Sequence, residues 1–252
     1  MRLENLSAGY RKKIIVRDLS LELGKGEIIS LIGPNGGGKS TILKSLSGQL
    51  EPLGGAVFLG KERIKDISLK ELSKKMSIVT TERINPHLMT VRDMVLSGRI
   101  PYSDGLGLFD STDREAASAA IKRMKIEGLS DRYYSDLSDG QKQRTLIARA
   151  ICQSPQVLIM DEPTSYLDIR HRMELMDVIR GLSKDGISII TSLHELELAL
   201  EISDRLLLVY DDGRTLCDKP ENVVKSGMIK DLYGLDDKMY RHVLNYIMAN
   251  SI

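Results

Sequence analysis

The sequence of 252 residues has little of what marks several common protein classes. Its two cysteines, Cys152 and Cys217, cannot build a disulfide framework and match no spacing of metal ligands. Lys and Arg total 36 against 35 Asp and Glu, so a net charge of +1 argues against binding to nucleic acid backbones. The longest apolar runs, such as Leu206 to Tyr210, are about five residues, far short of the roughly 20 that span a bilayer. No apolar stretch follows Met1 to Asn5, so we expect no secretory signal and a protein of the reducing cytosol.

What the sequence does contain is an alternation of apolar strands with helical segments. Leu19 to Leu23 alternates apolar with polar residues, which predicts a strand with one face in water. Three nearly continuous apolar runs predict strands buried on both faces, and they are Ile28–Ile32, Val157–Met160 and Ile187–Thr191. Helical patterns such as Arg172 to Leu182 separate these runs. The order predicts an α/β fold with a parallel sheet.

Two features interrupt this order. Gly54-Gly55 and Asp212-Gly213 are turn signals between short apolar runs, which predicts attached antiparallel hairpins. Between about Glu82 and Asp136 the composition shifts to charged residues that favour helices, which we interpret as a helical insertion.

The clearest motif follows the first buried strand. Residues Gly33 to Ser40 match the pattern G-x-x-x-x-G-K-S/T, and a helical segment comes next. Glycines let backbone N–H groups turn inward around phosphates, and the helix adds its positive N-terminal end. Lys39 is placed to reach the β- and γ-phosphates, while the Ser40 hydroxyl can bind Mg²⁺. The predicted site for a nucleoside triphosphate comprises Gly33, Pro34, Asn35, Gly36, Gly37, Gly38, Lys39, Ser40 and Thr41.

Two adjacent carboxylates, Asp161 and Glu162, end the second buried strand. Ligands of open parallel sheets bind at the carboxyl ends of the strands, so this strand end can face the phosphate-binding loop. We expect Asp161 to hold Mg²⁺ through a water molecule and Glu162 to polarise the attacking water.

A second motif, Leu137 to Arg144, reads L-S-D-G-Q-K-Q-R and opens a helix. A serine and a glycine at a helix N-terminus form an anion site. With this segment, the chain resembles an ATP-binding-cassette (ABC) ATPase, whose signature reads L-S-G-G-Q. The resemblance covers nearly the whole chain and includes the family's order of loop, signature, strand carboxylates and histidine.

The resemblance implies one domain over residues 1–252, with the P-loop NTPase (RecA-like) fold. Its core would comprise residues 1–81 and 154–217 and carry an antiparallel β-subdomain. A helical subdomain would be inserted at residues 82–153, and a helical tail would occupy residues 218–252.

The resemblance also implies a head-to-tail homodimer that closes on ATP and Mg²⁺. Ser138, Gly140 and Gln141 of one copy would cap the γ-phosphate that Lys39 of the other copy holds. His194 would contact the γ-phosphate and orient the water, so that Glu162 and His194 form the catalytic pair. Tyr10 would stack on adenine, and Asp168 of the Ser165-Tyr166-Leu167-Asp168 loop would link the two sites.

The sequence departs from the family at two positions. The family has a glutamine where this chain has Thr81, which we expect to approach Mg²⁺ through water unless Glu82 takes over. Asp139 replaces the first glycine of the signature, where a carboxylate would repel a γ-phosphate unless it turns outward.

Residues Thr90 to Tyr102 suggest a branch of the family. They resemble a segment of the ATPases that serve iron-siderophore, haem and cobalamin permeases. The resemblance implies an importer subunit on the cytoplasmic face of the membrane, bound to a separate polytopic permease and indirectly to a substrate-binding protein, but to no nucleic acid. Arg92, Arg99 and Tyr102 would be permease contacts. The alternatives are a zinc or manganese importer, a soluble ATPase of iron–sulfur cluster assembly, and a regulatory module that binds nucleotide without turnover.

Overall fold

A computed structural model describes residues 1–11, 13–82, 84, 86–103 and 108–249. The chain divides into two compact units, one of Met1–Asp66 with Ile190–Ile252 and one of Ile67–Ile189. Parts of the predicted regions lie outside the described residues. They include Arg83, which follows Thr81 and Glu82, and residues 250–252 of the predicted tail.

The described residues form strands and helices in the predicted alternation. The strands are β1 (Arg2–Tyr10), β2 (Lys13–Glu22), β3 (Ile28–Ile32), β4 (Gly54–Leu59), β5 (Glu62–Arg63), β6 (Met76–Val79), β7 (Val157–Asp161), β8 (Ser188–Ser192), β9 (Arg205–Val209) and β10 (Thr215–Asp218). The α-helices are α1 (Lys39–Leu46), α2 (Leu69–Lys75), α3 (Val91–Leu96), α4 (Ser111–Arg123), α5 (Asp139–Cys152), α6 (Ile169–Lys184), α7 (Leu196–Ile202), α8 (Pro220–Lys225), α9 (Met228–Tyr233) and α10 (Asp237–Ala249). Among the described residues, no helix combines the length and the apolar character needed to cross a bilayer.

The first unit contains two sheets. One is antiparallel, with β1 between β2 and β4 and with β5 at the edge of β4. In the other, the strand order is β10-β9-β3-β8, and β3 runs parallel to β9 with Ile32 opposite Leu208. Every residue of β3 is buried, as its apolar run predicts. The register places the end of β3, and the loop that follows it, beside the end of β9.

The second unit combines strands with the predicted helices. β6 pairs with β7 in parallel, with Val79 opposite Met160. The helices α3, α4 and α5 pack on one another. Every residue of β7 is buried, and the strand includes the apolar run Val157–Met160 that predicts it.

An ion pair between Arg99 and Asp113 fixes the helices of this unit. The Nε atom of Arg99 lies 2.8 Å from Oδ1 of Asp113, and the two side chains are only 11% and 9% exposed. The guanidinium also lies 3.8 Å from the ring centroid of Tyr102, whose hydroxyl donates to the carbonyl of Gln153. Arg99 therefore holds this unit together and does not offer its guanidinium to an outside partner. Arg92, in contrast, is 58% exposed.

Two local predictions differ from the structure. The helix after the phosphate-binding loop begins at Lys39, inside the motif. Gly54 and Gly55 lie within β4 instead of forming a turn. Gly55 has φ 73°, and a Cβ there would lie 2.2 Å from the carbonyl oxygen of Asn5, so this glycine permits a close approach of β1. The Asp212-Gly213 turn, which joins β9 to β10, is as predicted.

Candidate nucleotide site

The phosphate-binding loop of the first unit follows β3 and ends at α1. Gly33, Gly36 and Gly38 all have positive φ, a backbone conformation that favours glycine. A Cβ at Gly33 would lie 2.2 Å from the carbonyl oxygen of Val209, and one at Gly38 would lie 2.8 Å from Cγ2 of Ile15. The loop is therefore built against β9 and β2, with no room for a side chain at Gly33 or Gly38.

The side chains of the loop are arranged for a charged ligand. Lys39 is 6% exposed, and its Nζ donates to the carbonyls of Gly33 at 2.7 Å and Pro34 at 2.9 Å. Asn35 and Ser40 are exposed, whereas Thr41 is buried. The N-cap of α1 is Gly38, which has no side chain to satisfy the first N–H groups of the helix. These N–H groups and the ammonium of Lys39 make a site for an anion such as a phosphate.

His194 emerges in the first unit close to the same loop. The backbone N–H of Leu193 donates to the carbonyl of Leu31, near the end of β3, at 3.2 Å. His194 comes next and is exposed, so it lies at the strand ends where the loop begins. Tyr10 ends β1 and is 45% exposed, which leaves its ring accessible.

In the second unit, the carboxyl ends of two neighbouring strands bring polar side chains together. Asp161 is the last residue of β7 and is 9% exposed. The parallel register that pairs Val79 with Met160 places Thr80 and Thr81 beside Asp161 and Glu162. This register supports the sequence-based grouping of Thr81 with the carboxylates.

Glu162 has an unusual backbone. Its φ is 48°, uncommon for a residue other than glycine, and such strain concentrates at functional sites. The hydroxyl of Ser165 lies 3.5 Å from Oε2 of Glu162, and the N–H of Ser165 donates to the Glu162 carbonyl. The turn thus directs the glutamate away from the line of the strand. Ser165 was not predicted as a site residue, although it lies in the motif that contains Asp168.

The signature segment forms the N-terminus of α5. Ser138 is the N-cap: its side chain accepts from the N–H of Gln141, and the Gln141 side chain accepts from the N–H of Ser138. This capping box satisfies two N–H groups of the helix end. A Cβ at Gly140 would come 3.1 Å from the carbonyl oxygen of Tyr166, so the glycine allows the loop after β7 to pass close. Asp139 lies exposed in the first turn of α5 and needs no left-handed backbone.

Asp168 serves as the N-cap of α6. Its Oδ1 accepts from the backbone N–H of His171 at 2.8 Å and lies 2.9 Å from Nδ1 of the same residue. The hydrogen bond from that backbone N–H holds the pKa of the Asp168 carboxyl below its ordinary value. Tyr166, two residues earlier, has φ 68° and is 55% exposed.

The oxygen donors suit Mg²⁺ held together with phosphates. Within the described ranges, no group of three or more His, Cys, Asp or Glu side chains could hold a metal ion. Mg²⁺ commonly binds through one or two protein oxygens plus phosphate oxygens and water. Ser40 in the first unit, and Asp161 and Thr81 in the second, carry hydroxyl and carboxylate oxygens of the kind that such an ion binds.

Comparison with known proteins gives consistent results. The profile of ABC transporters matches residues 16–165. An uncharacterized ABC transporter ATP-binding protein of Methanocaldococcus jannaschii is 40% identical over 247 residues, 98% of this chain and 85% of the relative. An iron(3+)-hydroxamate import ATP-binding protein of Bacillus subtilis is 37% identical over 239 residues, 92% of this chain and 87% of the relative.

Two solved structures resemble the fold. One is a transporter classed as metal-chelate type in an inward-facing conformation, with a TM-score of 0.79, 26% identity, and coverage of 92% of this chain and 87% of that chain. The other is a dimeric bacterial ABC transporter cassette, with a TM-score of 0.76 and 26% identity. The match covers 87% of this chain and 98% of that chain. These likenesses confirm the predicted α/β fold of a P-loop NTPase.

Proposed function

This chain belongs to the ABC transporter family, and we propose that it is the ATP-hydrolysing subunit of an importer for a metal chelate. The chelate would be an iron-siderophore, haem or cobalamin complex. One observation carries the substrate class: the Bacillus subtilis relative, 37% identical over 92% of this chain, is named for iron(3+)-hydroxamate import. The segment Thr90 to Tyr102 supports the same branch.

We propose that the predicted site residues divide the work on ATP. The backbone N–H groups from Gly33 to Thr41 and the ammonium of Lys39 bind the phosphates, and Tyr10 stacks on the adenine. When bound, Mg²⁺ neutralises charge on the phosphates, and Ser40, Asp161 and Thr81 would hold it. Glu162 accepts a proton from the attacking water, and His194 donates a hydrogen bond to the γ-phosphate. The water oxygen attacks phosphorus, and the bond to ADP breaks.

Completion of the site requires a second copy of the chain. Ser138, Gly140 and Gln141 of one protomer contact the γ-phosphate bound by its partner, and Asp168 links the two sites. The dimeric cassette among the structural neighbours supports this arrangement. ATP favours the closed dimer and thereby shifts a separate permease between its access states at the cytoplasmic face of the membrane. A substrate-binding protein acts on the permease from the other side.

The experiment replaces the chromosomal gene in the source organism with a Lys39→Ala allele. We expect uptake of a radiolabelled ferric siderophore, haem or cobalamin to fall to background, because Lys39 is the buried cation of the phosphate-binding loop. The matched control is Lys61→Ala, which removes an exposed lysine between β4 and β5 and should leave uptake at the wild-type level.

The same strain distinguishes the alternatives. Loss of zinc or manganese uptake, with chelate uptake intact, would contradict the proposed substrate. Loss of activity in iron–sulfur enzymes, with all uptake intact, would indicate the soluble assembly ATPase instead.

A further inference from the structure

The turn that joins β9 to β10 lies beside the phosphate-binding loop. The carbonyl oxygen of Val209, the last residue of β9, lies 3.3 Å from the position that a Cβ would take at Gly37. The Oδ1 atom of Asp211, two residues further along, lies 3.5 Å from the same position. A carboxylate therefore borders the loop whose backbone N–H groups we propose to bind phosphates.

Backbone hydrogen bonds hold this turn in place. The N–H of Tyr210 donates to the carbonyl of Arg214 at 3.0 Å, and the N–H of Gly213 donates to the carbonyl of Tyr210 at 3.1 Å. The carbonyl of Gly213 accepts from the N–H of Arg17 in β2, also at 3.1 Å. These bonds tie the turn to itself and to β2, so the backbone around Asp211 keeps this residue beside the loop.

The two aspartates of the turn differ in their electrostatic surroundings. Asp212 has a cation of its own, because its Oδ2 lies 2.6 Å from Nε of Arg214. Its Oδ1 also accepts from the backbone N–H of Arg214 at 3.0 Å. Asp211 is exposed and forms no ion pair with any other residue that the structure describes. The negative charge at Asp211 is therefore the one that acts on a ligand of the loop.

We propose that Asp211 is an electrostatic tuning residue of the nucleotide site, which lowers the affinity of the phosphate-binding loop for ADP and ATP. The inference rests on the proposed function, because it concerns the nucleotide that the loop binds. The phosphates are negatively charged, and a carboxylate beside the loop repels them. Water and salt ions reach the exposed carboxylate and screen this repulsion, so the effect is moderate and depends on ionic strength.

The test is a series of charges at position 211 of the full chain. Asp211→Glu keeps the charge, Asp211→Asn removes it with little change in size, and Asp211→Lys reverses it. The matched control, Asp66→Asn, removes the charge of an exposed aspartate that follows β5 in the first unit. The Kd values for ADP and for a non-hydrolysable ATP analogue, with Mg²⁺, are measured by titration calorimetry at about 20 mM and about 500 mM NaCl. The Tm of each variant without nucleotide shows that it is folded.

At the lower salt concentration, Asp211→Asn should lower both Kd values about three-fold and Asp211→Lys about ten-fold, because each step changes the charge by one. Asp211→Glu and Asp66→Asn should keep the Kd values of the wild type. At the higher salt concentration, the differences should shrink to about two-fold or less, since the ions screen the repulsion. A purely structural effect of the substitutions would not depend on salt in this way.

Three results would overturn the inference alone. They are unchanged Kd values in Asp211→Asn at the lower salt concentration, higher Kd values in that variant, and a change of equal size at both salt concentrations. If Asp211→Lys fails to fold, the comparison of Asp211→Glu with Asp211→Asn still decides. A wild-type chain that binds neither ADP nor the ATP analogue would overturn the proposed function and the inference together.

Discussion

Glu162 shows how a single backbone conformation can create a chemical site. It follows a fully buried strand, where a carboxylate would be costly if it continued into the core. The positive φ of 48° turns the chain at this residue, and the Ser165 hydroxyl lies 3.5 Å from the carboxylate. The strain is compatible with a role that requires this one orientation.

Asp139 is the residue whose replacement separates stability from affinity. In Asp139→Gly, the first turn of α5 loses a favourable negative charge and gains a flexible residue, which should lower the free energy of unfolding by about 1 kcal/mol. ATP affinity should stay the same or rise, because the change removes a carboxylate that would repel the γ-phosphate of a partner. Chemical denaturation and ATP titration measure the two effects.

Asp139→Asn is the control for this prediction. It removes the charge without adding a glycine, so the affinity should respond as in Asp139→Gly while most of the stability is retained. A large loss of ATP affinity in either variant would mean that the carboxylate takes part in binding.

The N-termini of α3 and α5 offer a pair of helix ends with the same local structure. Thr90 and Ser138 each cap a helix through a hydroxyl, and each belongs to a capping box. Replacing either by Ala should cost about 1 kcal/mol of stability, because one N–H of the first turn loses its partner. Only Ser138→Ala should also weaken ATP-dependent dimerisation, by about ten-fold or more, since its hydroxyl is proposed to contact a charged phosphate.

Thr90→Ala controls for the stability lost with the cap. Sedimentation at increasing ATP concentration, with the denaturation midpoint of each variant, separates the two contributions. If both variants dimerise equally well, the serine acts only as a cap.

Local sequence patterns predict some elements well because their determinants are local. The apolar runs identify β3 and β7, and the glycine pattern between a strand and a helix identifies the phosphate-binding loop. The motif predicts a helix only after Ser40, whereas α1 already begins at Lys39 within the motif. In the sequence, Gly55 is typical of a turn. Only the close approach of Asn5 in the fold explains why a glycine occupies this position of β4.

Contacts between distant parts of the chain could not be predicted. The close contact of Val209 with Gly33 is made by a backbone carbonyl from a distant strand, which no side chain in the sequence reveals. Arg99 looks like a surface residue in its charged segment, but the fold buries it against Asp113. Such contacts depend on how elements pack and leave no local pattern.

This chain carries one phosphate-binding loop and one signature segment, and in the proposed mechanism the two must come from different copies. The loop and His194 belong to the first unit, whereas Ser138, Asp161 and Glu162 belong to the second. Because the signature segment must come from a second copy, hydrolysis by a single copy should be slow. ATP should drive the association of two copies when turnover is blocked.

The mass of the Glu162→Gln variant in solution, measured by light scattering with ATP and Mg²⁺, tests this association. Gln keeps the size of the side chain but cannot accept the proton, so ATP stays intact. We predict twice the monomer mass with ATP, the monomer mass with ADP, and the monomer mass at any ATP concentration when Lys39→Ala is added. A Glu162→Gln chain that binds ATP to saturation and remains a monomer would contradict the proposed ATP sandwich.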